Sequence, residues 1–161
     1  MTRGFISVGS NIEREKNIAS GLQALEQVFG KLIVSSVYES EPVGFSGNAF
    51  YNLVVGFDSE LEVHDVARTL RDIEIAHGRQ PDSKKFTSRR LDLDLLLYGD
   101  LALNEGNLQI PRSDIECYAF VLEPLAEIAP SLIHPLLKIS YRELWEQMPK
   151  VDIQQNKIIT K

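Results

Sequence analysis

Residues 89–97, Arg-Arg-Leu-Asp-Leu-Asp-Leu-Leu-Leu, set two carboxylates in an otherwise apolar run behind two arginines. Leu and Asp alternate at its start, which predicts a mostly buried β-strand. Strand side chains alternate faces, so Asp92 and Asp94 share one face, with Cα atoms roughly 6–7 Å apart. Two carboxylates on one face of an apolar strand repel each other and lose hydration, typically at several kcal/mol for each buried ion. Divalent cations about 3.5–4 Å apart would relieve that repulsion and could clamp a polyphosphate. A solvated face at a sheet edge would also tolerate the pair, so the strand alone leaves both readings open.

The rest of the chain bounds the possibilities. Its 161 residues suit a single domain, 1–161, with a polar tail from about 150. The 43% hydrophobic and 25% charged fractions are those of an ordinary soluble globular protein. Cys117 is the single cysteine and has no internal partner, which fits a reducing cytoplasm. No apolar run approaches the ~20 residues that span a bilayer, and a signal-peptide core is not expected at the N-terminus. A net charge of −6 disfavours a nucleic-acid surface. Between Arg79 and Arg90, however, Arg79, Lys84, Lys85, Arg89 and Arg90 face only Asp82. Such a local basic loop suits a small anionic ligand, although a solvated loop before a strand would read the same way.

The remaining periodicities give the order of elements. Gly4 to Val8 reads as a strand stopped by the turn-and-cap sequence Gly9-Ser10-Asn11. Ile18, Leu22, Leu25 and Phe29 recur at helical spacing, and Gly30 ends the run. Leu32 to Tyr38 is strand-like, and Glu39 to Asn48, with Pro42, Gly44 and Gly47, is a loop. Phe50 to Phe57 is a strand with Tyr51, Leu53, Val55 and Phe57 on one face and Phe50, Asn52 and Val54 on the other. Val63, Val66, Leu70 and Ile73 mark a second helix, closed by Gly78. The expected fold is therefore α+β, a ferredoxin-like β-α-β-β-α-β core with an antiparallel sheet, both helices on one face, and C-terminal additions. Leu108 to Pro111 is expected to add an edge strand. Tyr118 to Ala129 reads as helix broken or kinked at Pro124, and Tyr141 to Gln147 as a further helical piece. Beyond Lys150 little is expected to pack.

Several motifs are absent. There is no Gly-x-x-x-x-Gly-Lys-Ser/Thr, and no Gly-x-Gly-x-x-Gly follows the first strand. Glu74 and His77 have the spacing of a metal half-site, but no matching helix accompanies them, and a surface ion pair or helix-end His explains them better. His64 and His134 are isolated. Gly44-Phe45-Ser46-Gly47 lacks the spacing of a nucleophile turn, and Cys117 reads as a packing thiol. An RNA-binding sheet would need basic and aromatic motifs that are missing here.

The Arg89-Arg90-Leu91-Asp92-Leu93-Asp94 core, with Gly9-Ser10-Asn11 upstream and Phe120 to Pro130 downstream, resembles the 6-hydroxymethyl-7,8-dihydropterin pyrophosphokinase family of folate biosynthesis. The likeness runs from about Phe5 to Pro135. It implies transfer of pyrophosphate from ATP, the co-substrate, to the hydroxymethyl oxygen of a reduced pterin, releasing AMP. By that resemblance Asp92 and Asp94 hold two Mg²⁺ ions, and Arg89 contacts ATP near the reacting centre. It further implies that Phe50 and Phe120 stack on the pterin, that Asn52 contacts its edge, and that Ser40 and Val43 supply loop contacts. The ATP contacts it implies are Glu74, Arg79, Lys85, Arg89, Leu95, Arg112 and Tyr118. The partners so implied are small molecules, with no nucleic acid and no membrane, and the oligomeric state is left open.

This sequence departs from the family pattern where a His commonly follows the proline, here Arg112, and where an Arg commonly stands at Tyr118. Arg112 keeps positive charge but cannot titrate as His does, and Tyr118 keeps a donor but not the charge. Phe86 replaces a common tryptophan. An alternative function is therefore a pterin- or nucleotide-binding relative with weak or lost transfer activity. Strict strand alternation puts Arg90 on the aspartate face, whereas the resemblance assigns that role to Arg89. The loops 39–48 and 79–90 are expected to close over the ligands as a lid.

Overall fold

A computed structural model describes residues 1–41, 47–78, 89–149 and 155–158. The elements in chain order are β1 (Thr2–Ser10), α1 (Arg14–Phe29), β2 (Ile33–Val34), β3 (Val37–Ser40), β4 (Phe50–Ser59), α2 (Val63–Ala76) and β5 (Asp92–Tyr98). There follow β6 (Leu103–Glu105), β7 (Leu108–Ile110), α3 (Asp114–Cys117), α4 (Ala119–Ile128), α5 (Tyr141–Gln147) and β8 (Gln155–Ile158). The main sheet has the order β5-β1-β4-β3-β8, with β2 also on β4, and every pairing is antiparallel. The connection through α1 passes over β4, and that through α2 passes over β1, so each helix skips one strand.

The α1 and α2 stripes read from the sequence meet one sheet face. Ile18 and Leu25 of α1 and Val63, Val66, Leu70 and Ile73 of α2 pack on Ile6, Val8, Leu53, Val55, Leu93 and Leu95. The opposite face is covered over only part of its length. There Phe5, Val54, Leu96 and Leu97 pack against Ile115, Val121, Leu122, Leu125 and Tyr141 from α3, α4 and α5. A register shift of β5 against β1 between Phe5 and Ile6 puts both Leu96 and Leu97 into this second core. The rest of that face carries Asp92, Asp94, Phe50 and Asn52.

Four local expectations need correction. Residues 32–38 are not one strand: β2 ends at Val34 and β3 begins at Val37, with 35–37 opposite 53–54 of β4. The extra residue breaks the ladder, and Ser35 Oγ accepts the Val54 N–H that would otherwise lie buried without a partner. Residues 108–110 do not extend the main sheet; as β7 they pair with β6 in a separate hairpin. The helix expected to break or kink at Pro124 does not break there, running from Ala119 to Ile128. Proline removes one backbone donor, but burial of Val121, Leu122, Leu125 and Ala126 along the same helix outweighs that loss. Finally, the polar tail does pack in part, because residues 155–158 add a strand to β3.

Candidate functional site

The uncovered part of the sheet face is assembled row by row from the strand registers. Asp92 lies opposite Gly9 on β1, and Gly9 lies opposite Asn52 on β4. Asp94 lies opposite Ser7 in the same way. Asp92 and Asn52 are thus two strand spacings apart, roughly 10 Å, with no side chain between them. A Cβ on Gly9 would stand 3.0 Å from Asn52 Oδ1 and 3.7 Å from Phe50 Cδ1. Glycine here keeps the floor of the face open.

Asn52 is buried, and its Nδ2 donates to Ser40 Oγ at 2.7 Å. That bond fixes the amide, leaving Oδ1 directed over Gly9 as an acceptor. Phe50 stands on the same face of β4, two residues away, partly exposed. Phe120 lies in the first turn of α4 and is stacked against Tyr118, with ring centroids 5.0 Å apart and planes 19° from parallel. Both rings are partly exposed at the border of the second core.

The aspartates are not isolated. Arg112 Nη2 is 3.5 Å from Asp94 Oδ1, and its Nε is 3.3 Å from Asp114 Oδ2. Burial works against the Arg112 charge, but Asp94, Asp114 and then Asp92 outweigh it and raise the guanidinium pKa further. The Arg112 backbone N–H donates to Leu96 O at 3.0 Å, which moors this residue beside β5. Burial raises the pKa of the Tyr118 hydroxyl, with Asp114 adding to it, so this group stays protonated and able to donate.

Two residues hold the aspartate strand in place. Glu74 is 2% exposed, and its Oε2 accepts the Leu93 N–H at 2.7 Å, between the two aspartates in sequence. It is therefore a buried anchor rather than a helix-end surface carboxylate; Arg71 Nε is 3.8 Å from its other oxygen. Asn11 is also buried. Its Oδ1 accepts from Arg89 N at 2.8 Å, its backbone N donates to Arg89 O at 3.0 Å, and its Nδ2 donates to Asn48 O at 3.1 Å. Asn11 thus ties the start of the aspartate strand to the end of the 41–48 segment. The turn Gly9-Ser10-Asn11 was visible in the sequence, but nothing there distinguished this long-range bracket from an ordinary cap.

The conflict between the two arginines resolves in favour of a bend. The chain turns at Arg90 before β5 begins at Asp92, so strand alternation does not reach back that far. Arg90 is exposed toward α1, with Nη1 3.3 Å from Glu13 Oε2, whereas Arg89 is buried. Leu95 places its side chain in the core beneath α1 and α2, so any nucleotide contact there falls to its backbone. His77 caps α2, with Nδ1 on Ile73 O and Nε2 on Ser20 Oγ, and takes no part in the site. Cys117 is exposed rather than packed. Val43, Arg79, Lys85, Phe86 and most of the two expected lid loops lie outside the described residues.

Among the described residues no group of three or more His, Cys, Asp or Glu side chains is placed to hold a metal ion. The donor set is two hard carboxylates on one strand. This suits Mg²⁺, which commonly takes one or two protein carboxylates and completes its shell with water and substrate phosphates. Among the same residues no helix is long and apolar enough to cross a membrane.

An antiparallel sheet with helices on both sides, and carboxylates and aromatic rings on one face, defines a mixed α/β protein. The sequence profile of the 7,8-dihydro-6-hydroxymethylpterin-pyrophosphokinase (HPPK) family matches residues 5–130, and the chain belongs to that family. It is 36% identical over 137 residues to the 2-amino-4-hydroxy-6-hydroxymethyldihydropteridine pyrophosphokinase of Pseudomonas aeruginosa, covering 83% of this chain and 84% of that one. The Haemophilus influenzae enzyme of the same name is 34% identical over 139 residues, 84% of this chain and 86% of the other. The fold is similar to that of Plasmodium falciparum HPPK-DHPS, with a TM-score of 0.75 at 15% identity, covering 91% of this chain and 44% of that chain.

Proposed function

We propose that this protein transfers pyrophosphate from ATP to the hydroxymethyl oxygen of 6-hydroxymethyl-7,8-dihydropterin and releases AMP. The single observation that carries the reading is the row Asp92–Gly9–Asn52. It sets a carboxylate and an amide about 10 Å apart on one sheet face, which supports a phosphate side at Asp92 and a pterin side at Asn52. A flat heterocycle with its hydroxymethyl arm, next to a triphosphate, has poles of this kind and about this separation.

The pterin ring lies between Phe50 and Phe120, whose faces supply stacking. Asn52 Oδ1, held by the Ser40 contact, accepts from the donor edge of the ring, and the family resemblance assigns Val43 a further pterin contact. Across the face, Asp92 and Asp94 would hold Mg²⁺, which when bound would supply neutralisation of phosphate charge and activation of a hydroxyl. Arg89 and Arg112 bind phosphate oxygens with charge-assisted bonds, and Tyr118 donates a further one. By the family resemblance Arg79, Lys85 and the Leu95 backbone take the nucleoside and outer phosphates, while Glu74 acts through the strand it anchors. Excluding water matters because it competes with the pterin hydroxyl for the β-phosphorus.

The reaction is the attack of the pterin oxygen on the β-phosphorus, with the bridging oxygen to the α-phosphate leaving as part of AMP. Arg112 in the position usual for His keeps a cation at every pH, so phosphate binding here does not depend on imidazole titration. Incubation with ATP, Mg²⁺ and the pterin, followed by nucleotide chromatography, tests the reading. Equimolar AMP and pterin product are expected. ADP would indicate single phosphoryl transfer, and tight pterin binding without AMP would indicate a binding protein instead.

A further inference from the structure

We propose that Arg112 is a resident counter-cation of Asp94, holding it until a nucleotide arrives, so that divalent ions enter with the triphosphate and not before it. This rests on the reading of Asp92 and Asp94 as metal ligands. Arg112 spans two carboxylates, Asp94 at 3.5 Å and Asp114 at 3.3 Å, and is mostly buried among them. Its backbone is fixed on Leu96 O, and the next residue, Ser113, donates its N–H to Gln109 Oε1 at 3.2 Å. The main chain is therefore anchored on both sides while the guanidinium end remains the movable part.

An arginine in this position has a consequence that a histidine does not. It cannot lose its proton, so it leaves Asp94 only when another anion takes its place. A bare divalent ion offers no such anion and must compete with the guanidinium for Asp94. A metal–triphosphate complex offers both exchanges at once: the metal takes Asp94, and a phosphate oxygen takes Arg112. Asp114, on the Nε side, remains a pivot in both arrangements. Metal and nucleotide are then positively coupled through Arg112, each raising the affinity of the other by the same factor. Among the described residues no group of three acidic or imidazole side chains is placed to hold a metal ion, so a bare cation has few ligands with which to outbid the guanidinium.

Mn²⁺ is the probe, titrated into the full chain with free Mn²⁺ read by electron paramagnetic resonance. The comparison is wild type against Arg112→Gln and Arg112→Ala, first without nucleotide and then with α,β-methylene ATP, whose α–β bridge cannot be cleaved. Without nucleotide, both variants should bind Mn²⁺ about tenfold more tightly than wild type, the effect of removing one competing ion pair. With the analogue, wild type should bind tightly and the variants should lose that advantage. The gain should also vanish in the Asp94→Asn background, which separates release of Asp94 from a general change in charge. Circular dichroism melts identify any variant that fails to fold, and Arg112→Gln, close in length, carries the comparison if the alanine variant does. Equal nucleotide-free affinity in wild type and Arg112→Gln, with wild type still binding Mn²⁺ alongside the analogue, overturns the proposal. So does a gain that persists in Asp94→Asn. If wild type binds no Mn²⁺ even with the analogue, the metal-site reading itself falls and takes this proposal with it.

Discussion

Replacing Asn11 with alanine removes the side-chain bracket between the two halves of the site. Among the described residues two contacts are lost: Arg89 N–H to Oδ1 at 2.8 Å and Nδ2 to Asn48 O at 3.1 Å. The Arg89 amide is buried, and leaving such a donor without that acceptor costs about 1–3 kcal/mol. Asn48 is exposed, so water can take over its carbonyl, and that contact contributes roughly 0.5–1 kcal/mol. The backbone bond from Asn11 N to Arg89 O survives, which keeps the strand start near its place. The sum is a destabilisation of about 1.5–4 kcal/mol, readable as a lower urea midpoint at unchanged slope. Local effects should exceed the global one: exchange of the Arg89 amide should accelerate more than that of β4 amides. Because a displacement on the order of 1 Å near the reacting atoms costs about 100-fold in rate, kcat should fall about 10- to 100-fold while the protein is still folded. A destabilisation below about 0.5 kcal/mol, with turnover unchanged, would refute the bracket.

Two further outcomes follow from other parts of the molecule. Gly9→Ala puts a methyl 3.0 Å from Asn52 Oδ1 and should weaken pterin binding by about tenfold with little change in melting temperature; an unchanged pterin affinity by fluorescence titration would reject the open-floor role. His134 is buried and accepts the Leu136 and Leu137 amides on Nδ1, and burial lowers its pKa although Glu116 opposes this. Below about pH 6.5 the unfolded chain takes up a proton that the folded chain refuses, so stability should fall as pH drops through that value and level off below the folded pKa. His64, paired with Glu62 and Glu105, has a raised pKa and the opposite sign, its contribution being lost as pH rises. The difference in urea stability between wild type and His134→Gln isolates the first effect, and parallel pH curves would reject it.

What the sequence displayed and what it hid divide along the line between local and long-range contacts. Period-two alternation was enough to put Phe50 with Asn52 and Asp92 with Asp94, because both pairs lie in regular stretches of strand, clear of the register shift at Leu96. Helical spacing at Ile18, Leu22, Leu25 and Phe29 likewise found α1, which Gly30 closes at a φ of 80°. Alternation failed at Arg89 and Arg90 because a bend precedes the strand. It failed at Ser35 because a hydroxyl replaced a backbone acceptor, which no periodicity records. Pro124 carried a strong local signal that burial on α4 overrode. The Arg112–Asp94–Asp114 contacts, the Glu74 bond to Leu93 and the Asn11 bracket join residues that only the folded chain brings together. Chemistry-bearing types were visible; their partners were not.

A rapid-quench single turnover with γ-labelled ATP bears most directly on the central claim that Asp92 and Asp94 organise pyrophosphoryl transfer. In the wild type, label should appear in a pterin diphosphate at the rate at which AMP forms. In Asp92→Ala and Asp94→Ala that rate should fall on the order of 1000-fold or more, since both carboxylates act on charge in the transition state. Pterin affinity in the same variants should move far less, because the contacts proposed for the ring come from Phe50, Asn52 and Phe120. Near-wild-type single-turnover rates in both variants, or label appearing in a pterin monophosphate together with ADP, would contradict it.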